Sequence, residues 1–303
     1  MQKIRFRTLG FRRCLSVALA SSTFLAGCNS FKTQLLGPSV SETKPDGGGL
    51  ASAPGKYSLR IAPYVFLSDF ELKRDLPVFK ELAQLRDQVY KELQLPTGTT
   101  PVQVFLFVDR EHYDRFMQEH YPNLPRRSAF FVAQSRSIGS AEELFVYTYW
   151  GDRVQQNLRH ELTHALLHSV LKDVPLWLDE GLAEYFELPP ENHGVNPSHV
   201  EKLRHGSDDL FKPDLARLES LTNVSQMNHV EYREAWAWTH LMLRGQPEAK
   251  ALLLAYLQQL RSNANPGPIG PRLAAVFKSP ERAFERHLAA LEESGLPHTT
   301  AQR

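Results

Sequence analysis

Cysteine is nearly absent: the 303-residue chain holds two, Cys14 and Cys28. No disulfide framework can span the rest, so stability has to come from an apolar core or a bound metal. Net charge is equally small, with 35 Lys and Arg against 34 Asp and Glu, a formal +1. That total conceals an asymmetry. Lys3, Arg5, Arg7, Arg12 and Arg13 lie in residues 1–27 without an acid, which leaves 30 basic against 34 acidic residues in 28–303. A mildly acidic remainder lacks the basic footprint of a nucleic-acid binder, so no nucleic-acid partner is expected. There is no internal repeat, and no apolar run of the about 20 residues needed to cross a bilayer. At 42% hydrophobic and 23% charged, the chain can nevertheless bury a core and is not disordered as a whole.

Residues 1–27 have an export layout. A basic start precedes a short apolar stretch, Leu15 to Leu25, interrupted by Ser16, Ser21, Ser22 and Thr23. Too short to span, it fits the apolar region of a signal peptide. The stretch ends in Leu25-Ala26-Gly27-Cys28. This resembles the bacterial lipobox, in which such a cysteine becomes the lipidated first residue of the mature chain. On that resemblance Cys28 carries lipid and anchors the protein to a membrane, while Cys14 leaves with the signal. Asn29 is not the aspartate that commonly retains lipoproteins in an inner membrane. The expected location is therefore an exported one, at the outer membrane of a bacterium that has two. Residues 28–56 are rich in Gly, Pro, Ser and Thr and include Gly47-Gly48-Gly49. They read as a flexible tether with an average reach of roughly 30 Å.

The folded part is expected from Tyr57. Residues 59–67 have the composition of one strand, and 69–95 have helical spacing through Leu76, Phe79, Leu82, Leu85 and Val89. Further strands are expected at 101–108, 128–133 and 144–149, with a short helix at 110–119. Helix then dominates: 152–171, 175–188, 197–205 and several pieces from 210 to 293. Strands first and helices later define an α+β chain, divided into 57–190 and a mainly helical 191–303.

The most informative run is Asn157-Leu158-Arg159-His160-Glu161-Leu162-Thr163-His164-Ala165. It places H-E-x-x-H inside a helical pattern whose buried side is Val154, Leu158, Leu162, Ala165 and Leu166. Positions four apart lie on one helix face, so His160 and His164 can reach one zinc, with Glu161 beside its water. A catalytic zinc needs a third protein ligand and an open position. His168 continues the spacing but lies about 12 Å along the axis from His160 at 1.5 Å per residue, beyond the span of one ion. The longer metzincin form needs Gly and His where this chain has Leu167 and Val170. The remaining candidate is Glu180, in Pro175-Leu176-Trp177-Leu178-Asp179-Glu180-Gly181-Leu182-Ala183-Glu184-Tyr185-Phe186-Glu187. The interval after His164 is long enough to finish a helix, turn at Lys172-Asp173 and return antiparallel from Pro175.

H-E-x-x-H followed by W-L-x-E-G-x-A-E-Y-F resembles the gluzincins, metallopeptidases with two histidines and one glutamate on zinc. The closer resemblance is to the peptidase MA-like group of exported bacterial proteins, which the segment Tyr232-Arg233-Glu234-Ala235-Trp236-Ala237 also resembles. The resemblance spans about 57–245 and is strong at the two metal helices. It implies a zincin-like fold in which a small sheet lies on the H-E-x-x-H helix, and it implies Zn2+ held by His160, His164 and Glu180 with Glu161 as general base. It further implies that Glu184, one turn past Glu180, orients a ligand imidazole, that of His160 being expected. Tyr232 has two readings: a residue packing at the start of a helix, or a phenol that donates to the developing oxyanion. Asp179 is expected to be a helix-terminal charge pointing away from the metal, Glu187 to be solvated, and Trp177, Trp236, Trp238 and His240 to be structural.

The expected activity is hydrolysis of peptide bonds in a peptide or protein substrate outside the cytoplasm. An extended substrate would pair with an edge strand, 128–133 or 144–149. The alternatives are a lipoprotein that uses a zinc-site fold for binding or assembly, and a zinc amidase acting on cell-wall peptides. An intact Glu161 disfavours the first, because a purely structural site has no need of a base. For the anchor, fatty-acid labelling is expected to mark the wild-type protein and to be lost in Cys28→Ala; equal label in both removes the lipidation assignment.

Overall fold

The computed structural model describes residues 51–135, 142–205, 211–263 and 265–293. The signal-like segment, Cys28 and most of the tether lie outside them. The folded part already includes Ala51, ahead of the expected start. Ala51 and Ala53 pack on an apolar cluster, and His120 Nε2 donates to the Ala51 carbonyl over 2.6 Å.

The single strand expected at 59–67 is instead a hairpin of β1 (Tyr57–Ile61) and β2 (Tyr64–Ser68). Pro63 interrupts it, because proline fixes φ and has no N–H to give a ladder. Helix α1 spans Pro77–Glu92, with the proline in its first turn, where the missing N–H costs nothing; the helix therefore starts later than the apolar spacing alone implied. Strand β3 (Val102–Phe107), helix α2 (Arg110–His120), β4 (Ala129–Ser135) and β5 (Glu142–Tyr149) follow. The sheet order is β1-β2-β3-β5-β4. Pairs β1/β2 and β4/β5 are antiparallel, and β2/β3 and β3/β5 are parallel. Of the two strands expected to offer an edge, β4 does so, and β5 is interior.

Alternation along the strands covers both faces of the sheet. Val104, Leu106, Val146, Phe66 and Phe131 pack toward α1 and toward α3 (Val154–His168), whose Leu158, Leu162 and Leu166 are buried. Phe107, Phe130, Val132 and Tyr147 pack on the other side against Tyr113, Phe116 and Met117 of α2. Each such side chain stabilises the fold by about 1.5–3 kcal/mol when fully buried.

The helical remainder comprises α4 (Leu176–Phe186), α5 (Pro197–His205), α6 (Leu215–Ser220), α7 (His229–Arg244), α8 (Pro247–Ser262), α9 (Gly270–Val276) and α10 (Pro280–Glu293). The chain is thus α+β, with a five-stranded mixed sheet and ten α-helices among the described residues. Segments 57–190 and 191–303 share one apolar core: Leu162 and Trp177 belong to the same cluster as Trp236, Trp238 and Phe284. No helix among the described residues is long and apolar enough to cross a membrane.

Helices α4 and α7 approach closely at Gly181. A Cβ there would sit 2.5 Å from the Ala235 carbonyl oxygen and press on Thr239 Oγ1. The glycine in the W-L-x-E-G run is therefore a packing requirement. Helix α7 starts from Asn228, whose side chain accepts from Val230 N–H while Glu231 returns to the Asn228 N–H, a reciprocal cap. This fixes where Tyr232 leaves the helix. Gly181→Ala is expected to cost about 1–3 kcal/mol, the usual range for overpacking. Equilibrium denaturation checks it, and unchanged stability would mean that α4 and α7 are more loosely apposed than their backbones indicate.

Candidate metal centre

Helix α3 presents His160, His164 and His168 as successive turns of one face. Helix α4 returns antiparallel to it, because His160 meets Glu187 at the far end of α4 while His168 meets Asp179 near its start. The turn between them is tied down by the Lys172 N–H donating to Leu260 O of α8 over 3.0 Å.

His160, His164 and Glu180 come together as expected. Their ligating atoms lie within 4.8 Å of one another. Glu180 Oε2 is 3.4 Å from His160 Nε2 and 3.6 Å from His164 Nε2. Those separations exceed an N–H···O hydrogen bond, about 2.7–3.2 Å, and this buried oxygen has no hydrogen-bond partner. A buried carboxylate oxygen left without a partner is costly. These three groups could hold a metal ion.

The other nitrogens of both rings are also engaged. His160 Nδ1 donates to Glu187 Oε2 over 3.0 Å, and Glu187 Oε1 accepts from Gln156 Nε2 over 2.6 Å. His164 Nδ1 lies 3.0 Å from Asp179 Oδ1, while Asp179 Oδ2 accepts from His168 Nε2 over 2.9 Å. Carboxylates at both Nδ1 positions favour the tautomer in which each Nε2 offers a lone pair. The ring of Phe131, on β4, stacks on His164 and His168 with centroids 6.2 and 5.4 Å away, so the edge strand helps to orient the α3 histidines.

Three expectations need correction. Glu184 does not hold His160: its Oε2 accepts from His199 Nε2 over 2.8 Å, tying α4 to α5, although it remains close to His160 and Glu187. Glu187 is not solvated; it is buried and takes the role expected of Glu184. Asp179 does not point away from the metal face but bridges His164 and His168. The physical reason is the crossing of α3 and α4, which spacing along one helix does not contain. His168 stays outside the ligand cluster, as its axial distance required. Trp177, Trp236 and Trp238 are buried. His240 is buried and pairs with His287 over 2.8 Å.

Electrostatics follow from burial and pairing. Desolvation works against charge on His164, but Asp179 and then Glu180 overcome it and push its pKa up to about 10. Desolvation would likewise raise Glu180, yet the two imidazoles bring it down to about 2. Glu161 moves the other way: burial raises its carboxyl above the usual range despite the pull of His160 and His164. Protons and a divalent cation compete for the same Nε2 positions.

Two basic residues of the site were not legible in advance. Arg159, buried to 1% exposure, donates from Nε to Glu187 O over 3.2 Å and from Nη2 to Leu188 O over 2.7 Å. It caps the carbonyls at the end of α4 and so steadies Glu187. A charged residue on the apolar side of the α3 pattern was its sequence signal. Arg127, in the loop before β4, donates from Nη2 to Tyr232 Oη over 2.5 Å. Nothing in its local sequence marks it.

Fold and site together define an α+β protein with a largely buried two-histidine, one-glutamate cluster. Residues 156–266, which carry all three groups, match a family model described as "Protein of unknown function (DUF1570)". No curated protein matches the chain.

Binding of Zn2+, followed by calorimetry and metal analysis, is expected to vanish in His160→Ala, His164→Ala and Glu180→Ala and to persist in His168→Ala. Glu187→Ala should weaken it by about 10–100-fold, as partners of ligand imidazoles typically do, with a much smaller loss in Glu184→Ala. A larger loss in Glu184→Ala than in Glu187→Ala would return the orienting role to Glu184.

Proposed function

We propose that this protein is a zinc metallopeptidase of zincin-like fold that cleaves peptide bonds outside the cytoplasm, held at a membrane through lipid on Cys28. The observation that carries the reading is the spacing of the three ligand atoms. Ligands about 2.0–2.1 Å from a tetrahedral zinc stand about 3.3 Å apart, against 3.4 and 3.6 Å from Glu180 Oε2 to the two imidazoles. The donor set of two nitrogens and one carboxylate oxygen is one that zinc takes in hydrolases, and it leaves a fourth position for water. Bound zinc would supply a Lewis acid and lower the pKa of its water toward 7.

The protein's own groups supply the rest. Glu161 lies among His160, His164 and Glu180, close enough to feel the charge of each. A carboxylate there is suited to take a proton from water and give it to the leaving amine. Glu180, held ionised by its imidazoles, is suited to ligation. Tyr232 is half-buried at the start of α7 and near Glu180, which supports its donating to the oxyanion. Strand β4 leaves one side of its backbone unpaired in the sheet and lies beside the site through Phe131, which supports binding of an extended peptide by strand addition. These features also support the resemblance to gluzincins that the H-E-x-x-H and W-L-x-E-G runs carry.

Digestion of a mixed-peptide library by the full-length protein tests this. Glu161→Gln is expected to retain zinc and lose turnover, and His164→Ala to lose both. Cleavage of cell-wall peptide bridges with no cleavage of the library would reassign the activity to an amidase. Zinc bound with no Glu161-dependent hydrolysis of either substrate would favour a binding module.

A further inference from the structure

We infer that Arg127 is a positioning residue for Tyr232: it holds the phenol at the metal centre and strengthens it as a hydrogen-bond donor to the oxyanion of the substrate. The inference rests on the peptidase reading and extends it to a residue outside every sequence motif of the site.

Three observations carry it. First, the direction of the hydrogen bond is fixed by chemistry. A guanidinium only donates, so Arg127 Nη2 gives its hydrogen to Tyr232 Oη, and the phenol's own O–H is left for another acceptor. Among the described residues the Tyr232 hydroxyl donates no hydrogen bond of its own. An O–H whose oxygen already accepts from a cation is a stronger donor, because successive hydrogen bonds polarise one another. Second, the guanidinium carbon lies 5.4 Å from the Tyr232 ring centroid, so the cation also rests against the ring and restricts where the phenol can swing. Third, both groups stand at the metal carboxylates. Arg127 is near enough to Glu180 and Glu161 for each to favour its charged form, and Tyr232 is near enough to Glu180 for that charge to disfavour its ionisation.

The fold explains how a loop residue reaches this point. Thr148 Oγ1 of β5 donates to Ser128 O over 3.0 Å, which pins the backbone next to Arg127 at the start of the edge strand. From there the side chain bridges to α7. The link joins the loop before β4 to the first turn of α7. Beside the imidazoles the site holds several carboxylates, with Glu161 and Glu184 each near enough to Glu180 for its charge to act on them. A developing oxyanion there needs a positive counterweight besides the metal, and the Arg127–Tyr232 unit provides it through a protonated donor.

The test uses the full-length zinc-loaded protein and two probes, the mixed-peptide library and inorganic phosphate as a tetrahedral oxyanion. Removing one oxyanion donor typically costs about 10²–10³ in kcat, so Tyr232→Phe is expected to lose that much with KM little changed. Arg127→Ala should lower kcat by about 10-fold or more, with Arg127→Lys recovering part of the loss. Because Arg127 acts through the phenol, the double variant should be no slower than Tyr232→Phe alone. Added guanidinium ion should restore Arg127→Ala and leave the double variant unchanged. Phosphate affinity, read by calorimetry and independent of turnover, should fall in both single variants at unchanged zinc content. Arg127→Gln, nearer in size, stands in if the alanine variant misfolds. Multiplicative kinetic losses, or phosphate affinities equal to wild type in Arg127→Ala or Arg127→Gln, would overturn the inference. Failure of the peptidase reading is seen separately, as Glu161-independent background on the library, and the phosphate measurement then decides the Arg127–Tyr232 unit alone.

Discussion

Burial of charge between α3 and α4 is the constraint on which the rest of the structure depends. Asp179, Glu180 and Glu187 are each less than 9% exposed, and isolated carboxylates in such positions would be untenable. They are tolerated because α3 sets an imidazole against each: His164 and His168 for Asp179, His160 and His164 for Glu180, His160 for Glu187. Sliding α4 by one turn along α3 would leave buried charge without a partner, so this pairing fixes the register of the two helices. The sheet holds α3 from one side, and Gly181 lets α7 hold α4 from the other. Stability and chemistry share one set of contacts here. Removing a histidine exposes a buried carboxylate to its full desolvation cost, and at His160 or His164 also removes a group that could hold a metal.

The same burial sets two glutamates apart. Glu180 faces two imidazoles and is held ionised near the bottom of the carboxylate range, while Glu161 is raised above it by desolvation. Groups of one chemical type with environments that push their pKa values in opposite directions are suited to different work, which under the proposed function is ligation and proton transfer. Neither assignment follows from the residue type. The distinction arises because Glu180 is held by both imidazoles, whereas at Glu161 desolvation and the charge of Glu180 outweigh their pull.

Across the helix pair, the second layer of contacts is what keeps the first in shape. Arg159 fixes the end of α4, which places Glu187, which turns His160. Asp179 turns His164 and is itself braced by His168. On the side of the edge strand, Phe131 backs two of the histidines, and Arg127 reaches Tyr232. The supporting residues come from separate parts of the chain, so the geometry of the ligand atoms depends on the whole α+β core.

The sequence by itself determined the α+β class, the helix carrying His160 and His164, the return helix that brings Glu180 to them, and the separation of His168 from that cluster. Each follows from periodicity along one element or from the length of chain between two, and such local quantities survive without knowledge of packing. The hairpin at Pro63 was legible too, since a proline inside an apolar run argues against a continuous strand, yet the run's composition outweighed it. Only the tertiary structure decided that Glu187 rather than Glu184 holds His160, that Asp179 faces inward, that β4 is the edge, and that Arg127 meets Tyr232. Those contacts depend on the crossing of α3 with α4 and on the order of strands in the sheet. Residues 105 positions apart in the chain, as Arg127 and Tyr232 are, become neighbours through burial of a common core, and no spacing rule along a single element encodes that.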